Sequence, residues 1–271
     1  MKKGGFRLMK WVCNHKEVLK AIPQTEKAVG VEEVILKDDS FPTERALGIV
    51  WDLEKDELAV RVQIPKKPET KRSLLSMVSS IYDPLGLIAP SVIRAKIIFQ
   101  DECRRGVGWD ERMAEQNRVA WRRWLDELPH LSQVHVPRCY RPEDANQVAA
   151  VQLHHFYDAS QQAYGAVSYQ RTTCEDGTHH ISFVCGKTKL APLKQKTIPR
   201  LELCAAVLAA KADKQLRREL ELQIDRSVFW TDSTAVLQYI RNTERRFHSF
   251  VANQVATIQE DSNAEQWRHV D

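Results

Sequence analysis

From about residue 148 onward the chain shows one change of texture that few folds accommodate. Three β-rich runs are followed by a long amphipathic helix, a short β-rich run and more helix. Residues 151–157, 164–170 and 180–185 are expected strands, with a turn-like stretch over 174–178. Residues 196–219 are an expected helix, because Leu201, Ala205, Leu208, Ala212 and Leu216 recur at intervals of three and four. Residues 227–230 are β-rich, 233–242 restart helical periodicity, and Phe247, Phe250, Val251, Val255 and Ile258 mark a last helix. Residues 267–270 begin another strand. This order implies an α/β part (α+β overall).

Two other textures precede it. Runs at 47–53 and 58–64 flank Glu54-Lys55-Asp56-Glu57, which reads as a hairpin, and Pro65 and Pro68 break the pattern. Residues 73–82 carry apolar side chains at helical spacing until Asp83-Pro84-Leu85-Gly86 stops them. Pro90 suits the first turn of a helix over 91–105, which Gly106 and Gly108 end. A third helix is expected over 110–128, with Trp121, Trp124, Leu125 and Leu128 on one side. Pro129, Pro137 and a polar linker over 138–147 follow. The expected organisation is a first part over 1–70, a helical connector over 71–148 and an α/β domain over 149–271.

Composition limits the class of protein. A hydrophobic share of 43% and a charged share of 28% exclude collagen, mucin-like stalks and general disorder. No apolar run approaches ~18 residues, so no membrane span is expected. The net charge of +4 permits a nucleic-acid partner without demanding one. The 6 cysteines are dispersed and form no Cys-x-x-Cys pair, which suits a reducing compartment. No apolar segment follows the basic Lys2-Lys3, so no secretory signal is expected. The expected location is intracellular, cytoplasmic or nuclear.

Three acids fall at telling places. Asp158 ends the first strand of the α/β part, Asp232 follows the short strand just before a helix, and Glu202 lies in the first turns of the long helix. Sites gather at such strand ends and helix starts. Acids converging there would repel one another, and hard cations relieve that repulsion. Two such ions would activate a water and stabilise the leaving oxygen of a phosphodiester. Plainer readings stand beside this one: Asp232 suits a helix N-cap, and Glu202 suits the helix dipole. Lys187, Lys189, Lys194, Lys196 and Arg200 lead into the Glu202 helix, either as a solvated loop or as phosphate contacts. Their position beside the acids favours contact.

Other groups favour plainer readings. Trp121-Arg122-Arg123-Trp124 mixes basic and aromatic residues as single-strand binders do, yet the two tryptophans share a helix face and suit core packing. His154-His155 and His179-His180 point to opposite faces of a strand and lack zinc spacing. His269 suits edge-strand packing. Arg217-Arg218 and Arg245-Arg246 suit solvated faces.

These residues carry a resemblance. Phe156-Tyr157-Asp158-Ala159-Ser160 with Gly165-Ala166-Val167 resembles the first-strand motif of retroelement ribonuclease H domains. Ile198-Pro199-Arg200-Leu201-Glu202-Leu203 resembles their helix with the catalytic Glu, and Trp230-Thr231-Asp232-Ser233 their next catalytic Asp. Ser79-Ser80-Ile81-Tyr82-Asp83-Pro84-Leu85-Gly86-Leu87-Ile88-Ala89-Pro90 and Gly108-Trp109-Asp110-Glu111 are similar to the connector of BEL/Pao-type LTR retrotransposon polyproteins. Gly5-Phe6 through Trp11, and Leu47-Gly48 with Trp51-Asp52, resemble the tail of their reverse transcriptase.

The resemblance covers essentially the whole chain. It implies a pol polyprotein fragment: a small β-hairpin remnant of reverse transcriptase, a helical connector and a ribonuclease H-like domain, a mixed sheet with flanking helices, that cleaves the RNA strand of an RNA–DNA hybrid. Asp158, Glu202 and Asp232 would be the catalytic and metal-binding acids, holding two Mg²⁺ ions (Mn²⁺ as the alternative), with Asp158 bridging. Ser160, Lys187, Lys189, Arg200 and Ser233 would contact nucleic acid. The implied partners are the hybrid and the rest of the polyprotein, reverse transcriptase and integrase, with no membrane.

The family's fourth acid sits in an Asn-Pro-Ala-Asp-like segment after a strand that Trp267-Arg268-His269-Val270 resembles. Asp271 follows that strand too closely to be it. The domain is therefore expected to be truncated at its C-terminal end, and the alternative is a catalytically dead remnant that binds nucleic acid or serves as structure. The sequence has no Tyr-x-Asp-Asp centre of a reverse transcriptase. It also has no Asp-Thr-Gly or Asp-Ser-Gly of an aspartic protease, so the peptidase name attached to such connectors implies no proteolysis.

Overall fold

The computed structural model describes residues 5, 7–28, 43–46, 49–62, 64, 67–141, 147–242 and 246–270. Phe6, Leu47, Gly48, Pro65, Arg245, Asp271 and positions 142–146 of the expected linker lie outside them. The chain divides into two compact units, Met1–Val62 with His130–Cys139, and Gln63–Pro129 with Tyr140–Asp271.

The first unit holds a short helix, α1 (Lys16–Ala21), and an antiparallel sheet in the order β1 (Thr43–Ala46), β2 (Ile49–Asp52), β3 (Glu57–Val60), β4 (His135–Pro137). The expected hairpin is β2–β3, in register from Ile49 opposite Val60 to Asp52 opposite Glu57. Its turn forms because the Asp52 carboxylate accepts from the Glu54 and Lys55 amides. Two strands extend it beyond the sequence expectation. β4 comes from far along the chain and is fastened to the hairpin by Arg138, which pairs with Asp56 at 2.6 Å and lies over the Trp51 ring.

The second unit begins with three helices: α2 (Lys71–Ser80), α3 (Ala89–Arg104) and α4 (Glu115–Glu127). Thr70 caps α2 by accepting from the Ser73 amide. Asp83 opens α3 by accepting from the Leu87 and Ile88 amides at 2.8 and 2.9 Å. α4 starts five residues later than the periodicity suggests. The chain before it is held instead by the amide of Met113 on the Glu69 carbonyl, and the exposed Arg72 meets Asp110 beside it. Trp121 and Trp124 stack at 4.9 Å and are 5% and 1% exposed, so packing is what they do. Beneath α4, the fully buried Glu102 is satisfied by Asn117, the Ala114 amide and Arg105.

A five-stranded sheet follows, in the order β7 (His179–Leu190), β6 (Ala163–Cys174), β5 (Val148–Ala159), β8 (Arg226–Thr231), β9 (Trp267–His269). β5–β6–β7 is an antiparallel meander, while β8 joins β5 and β9 joins β8 in parallel. This is the mixed sheet that the resemblance implies. The meander strands run longer than expected, so Lys187 and Lys189 lie on β7 rather than in a loop. α5 (Ile198–Glu219), α6 (Thr234–Arg241) and α7 (Ser249–Asp261) complete the unit. α5 lies close on the sheet because its inner stripe is small: Ala205, Ala206, Ala209 and Ala210 are fully buried. Phe229 and Trp267 stack at 4.3 Å in the same core.

The helical stretch before the sheet covers its β7 edge. The Gly186 amide donates to the Leu85 carbonyl at 2.7 Å, and Gln100 Nε2 donates to the Ala191 carbonyl at 2.8 Å. Gly86, with φ +71°, approaches Gly186 so closely that a Cβ on it would lie 1.9 Å from the Gly186 carbonyl oxygen. Covering an edge strand removes a template for stray pairing.

Candidate functional site

β5 and β8 carry two of the three acids to one end of the sheet. Their parallel register pairs Phe156 with Trp230, so Asp158 and Asp232 each lie two residues beyond a matched pair. Both are exposed. The Asp158 carboxylate accepts from the Ala159 amide at 2.6 Å.

The cap question resolves in favour of Ser233. Its hydroxyl oxygen accepts from the Val236 amide at the start of α6, which leaves Asp232 without that duty. The same hydroxyl donates to Glu202 Oε2 at 2.5 Å. One side chain thus starts α6 and ties it to the half-buried carboxylate on α5. His269 adds a further tie, with Nε2 donating to the Asp232 carbonyl at 3.1 Å. His269 is therefore more than an edge-packing residue.

Tyr157 reports the local charge. Burial pushes its phenol well up, Thr231 draws it partly back, and the charges of Glu202 and Asp232 raise it again. Thr231 is the polar side chain beside its buried hydroxyl.

The basic residues spread out. Lys187 donates to Gln215 near the far end of α5, away from Glu202. Lys189 and Lys196 lie near Cys204; burial pushes that thiol up, and the two lysines oppose the rise. Lys196 and Arg200 sit over the Phe250 ring at 4.3 and 5.6 Å. Ser160 builds the β5–β6 turn: its hydroxyl donates to the Ala163 carbonyl and accepts from the Gln162 and Ala163 amides.

Whether the acids suit a metal ion divides into donor type and placement. Three carboxylates supply the hard oxygen donors that Mg²⁺ or Mn²⁺ takes. By donor type the set fits. The side chains are not drawn into one cage, however: among the described residues no three of His, Cys, Asp and Glu are grouped to hold an ion. Asp158 and Glu202 face local donors instead.

One polar cluster escaped the sequence reading. His155 is fully buried, with Nδ1 at 2.8 Å from Ser168 Oγ and Nε2 at 3.0 Å from Asp213 Oδ1. Asp213 also accepts from Ser227 and from Arg217 Nε, the latter at 3.1 Å. Burial pushes the Asp213 carboxyl up, but His155, Ser227 and Arg217 outweigh it and hold it below its ordinary value. The available signal was Asp213 itself, eleven residues after Glu202 and so on the same stripe of the helix.

A family model described as Pao retrotransposon-like RNaseH-like domain matches residues 70–233. No curated protein matches. Among solved structures, RNase H1 from the archaeon Halobacterium salinarum is similar at 15% identity and TM-score 0.30, over 44% of this chain and 85% of that one. A foamy viral protease–reverse transcriptase in complex with double-stranded DNA is similar at 13% identity and TM-score 0.47, over 84% of this chain. The chain spans 37% of that protein's length. LC11-RNase H1, solved with an RNA/DNA hybrid, is similar at 11% identity and TM-score 0.29, over 44% of this chain and 83% of that one. No helix among the described residues is long and apolar enough to cross a membrane.

Proposed function

The chain belongs to the Pao retrotransposon-like RNaseH-like domain family, and from that premise we propose that it hydrolyses the RNA strand of an RNA–DNA hybrid during reverse transcription. Asp158, Glu202 and Asp232 are its acidic centre. The observation that carries the reading is the matched register of β5 and β8, which puts Asp158 and Asp232 at the same level at one end of the sheet, with Ser233, the neighbour of Asp232, bonded to Glu202 on α5.

The three carboxylates would hold divalent ions, Mg²⁺ or Mn²⁺, which when bound lower the pKa of a water and offset charge building on the phosphate. The chain's own residues do the rest. Ser233 orients the Glu202 carboxylate, and by capping α6 it leaves the Asp232 side chain available. Lys189, Lys196 and Arg200 put positive charge near the start of α5, where a sugar–phosphate backbone would lie. Ser160 shapes the loop after Asp158. We assign the helical stretch over 71–148 to the connector of the polyprotein, 1–70 to the tail of its reverse transcriptase and 149–271 to the ribonuclease H-like domain. The further partners are the remaining reverse transcriptase and integrase.

The test is cleavage of a labelled hybrid by the purified chain with Mg²⁺. Asp158→Asn is expected to lower the rate at least ~100-fold, the scale of losing several kcal/mol of charge stabilisation. Hybrid binding without cleavage by the unaltered chain sinks the nuclease reading and leaves a binding remnant.

A further inference from the structure

We propose that the buried Ser168–His155–Asp213–Ser227 cluster is a positioning device that fixes the axial setting of α5 against β5, β6 and β8, and through it the placement of Glu202 relative to Asp158 and Asp232. The inference rests on the nuclease reading above.

Each element carrying an acid contributes one member. Asp213 is on α5, three turns or ~16 Å along the axis from Glu202. His155 is on β5, ~10 Å along the strand from Asp158. Ser227 is on β8, ~16 Å from Asp232. β6, which carries no acid, adds Ser168. The cluster therefore joins α5, β5 and β8 at one depth, below the end where the acids emerge.

The chemistry is directional. The Asp213 carboxylate can only accept, so His155 Nε2 carries the hydrogen between them. Ser227 and Arg217 supply the other donors to Asp213, and Arg217 also donates to Ser227 Oγ at 2.7 Å. Hydrogen bonds at such lengths tolerate little sliding. The alanine stripe of α5, by contrast, presents a smooth apolar surface whose attraction to the sheet is non-directional. Packing holds α5 on the sheet; the cluster says how far along it sits. Full burial of His155 and Ser227, with Asp213 only 3% exposed, keeps substrate out and excludes a Ser–His–Asp hydrolase reading.

The experiment separates positioning from stability with two variants of the full chain. Asp213→Asn weakens the pairing with His155. The triple variant His155→Phe, Asp213→Leu, Ser227→Ala replaces the charged centre by apolar groups and leaves Ser168 beside Cys185 and Arg217 on the Ile224 carbonyl and solvent, an exchange that is often neutral for stability. Three quantities are measured: thermal melting, Mn²⁺ affinity and amide exchange over 198–204. The triple variant is expected to melt close to wild type, to bind Mn²⁺ at least ~10-fold more weakly, and to exchange faster over 198–204. Asp213→Asn should lower hybrid-cleavage kcat with KM unchanged. A triple variant with wild-type Mn²⁺ affinity and wild-type exchange overturns the proposal. Faster exchange in the variant, together with no cleavage by wild type, upholds the positioning role and overturns the nuclease reading alone.

Discussion

In the helical half of the second unit three arginine–carboxylate pairs sit at the rim, beside the buried Glu102 described above. Arg72 meets Asp110, Arg94 meets Glu127 and Arg122 meets Glu69, each with at least one partner well exposed. In the sheet half, Asp213 and His155 pair inside, almost without solvent. Rim pairs are screened and flexible, and most contribute little. A buried pair costs little to stability when intact and a great deal when half of it is removed. The difference teaches where the molecule tolerates change: a rim pair can lose one partner at little cost, while a buried acid such as Asp213, or Glu102 beneath α4, cannot lose one partner without leaving the others unpaired.

The largest effect that sharpens this contrast is Asp213→Leu. It leaves His155 and Ser227 buried without their acceptor, and a loss of about 3–5 kcal/mol is expected in urea unfolding. A loss below that of the connector variants would erase the contrast. Next is Gly86→Ala. The added Cβ meets the Gly186 carbonyl, and the positive φ disfavours any L side chain, so at least about 2 kcal/mol is expected on the same measurement. An unchanged midpoint would mean that the connector does not seat on β7.

Glu69→Gln comes third, at about 1 kcal/mol near neutral pH. Arg122 and then Arg118 hold the Glu69 carboxyl down to about 2. Its folded form therefore favours the charged state, and the stability it adds is complete above the ordinary value of 4.5 and lost as pH falls toward about 2. The gap between variant and wild type should close over that window; a gap that persists at pH 2 would assign the effect to shape rather than charge. The smallest effect is Arg72→Gln, whose pair with Asp110 is exposed on both sides. No measurable shift in Tm is expected from it, and a clear one would give the rim more weight than screening allows.

Periodicity revealed the order of strands and helices because each element buries one face, as α5 does with its alanine stripe. The same periodicity places Asp158 and Asp232 at strand ends and Glu202 in the first turns of a helix, which is why they stand out as candidates. Three things were hidden. The lengths of β6 and β7 depend on pairing with each other through residues such as Lys187 and Lys189 that look like loop. The addition of β4 to the hairpin joins segments far apart in sequence. The His155–Asp213 contact crosses from strand to helix, and adjacent histidines suggest a metal question before they suggest a buried acceptor. Ser233 illustrates the same limit: its capping role could be read locally, its bond to Glu202 could not.

The close approach of Gly86 to Gly186 also has a kinetic meaning. The two residues are about a hundred positions apart, whereas β5, β6 and β7 are joined by short turns. Hairpins close in microseconds, while a loop of about a hundred residues pays a larger entropy before any contact repays it. The meander should therefore assemble first and the connector settle onto it afterwards. During synthesis α3 leaves the ribosome well before the strand edge it will cover exists, so its apolar face waits in solvent for the later part of the chain.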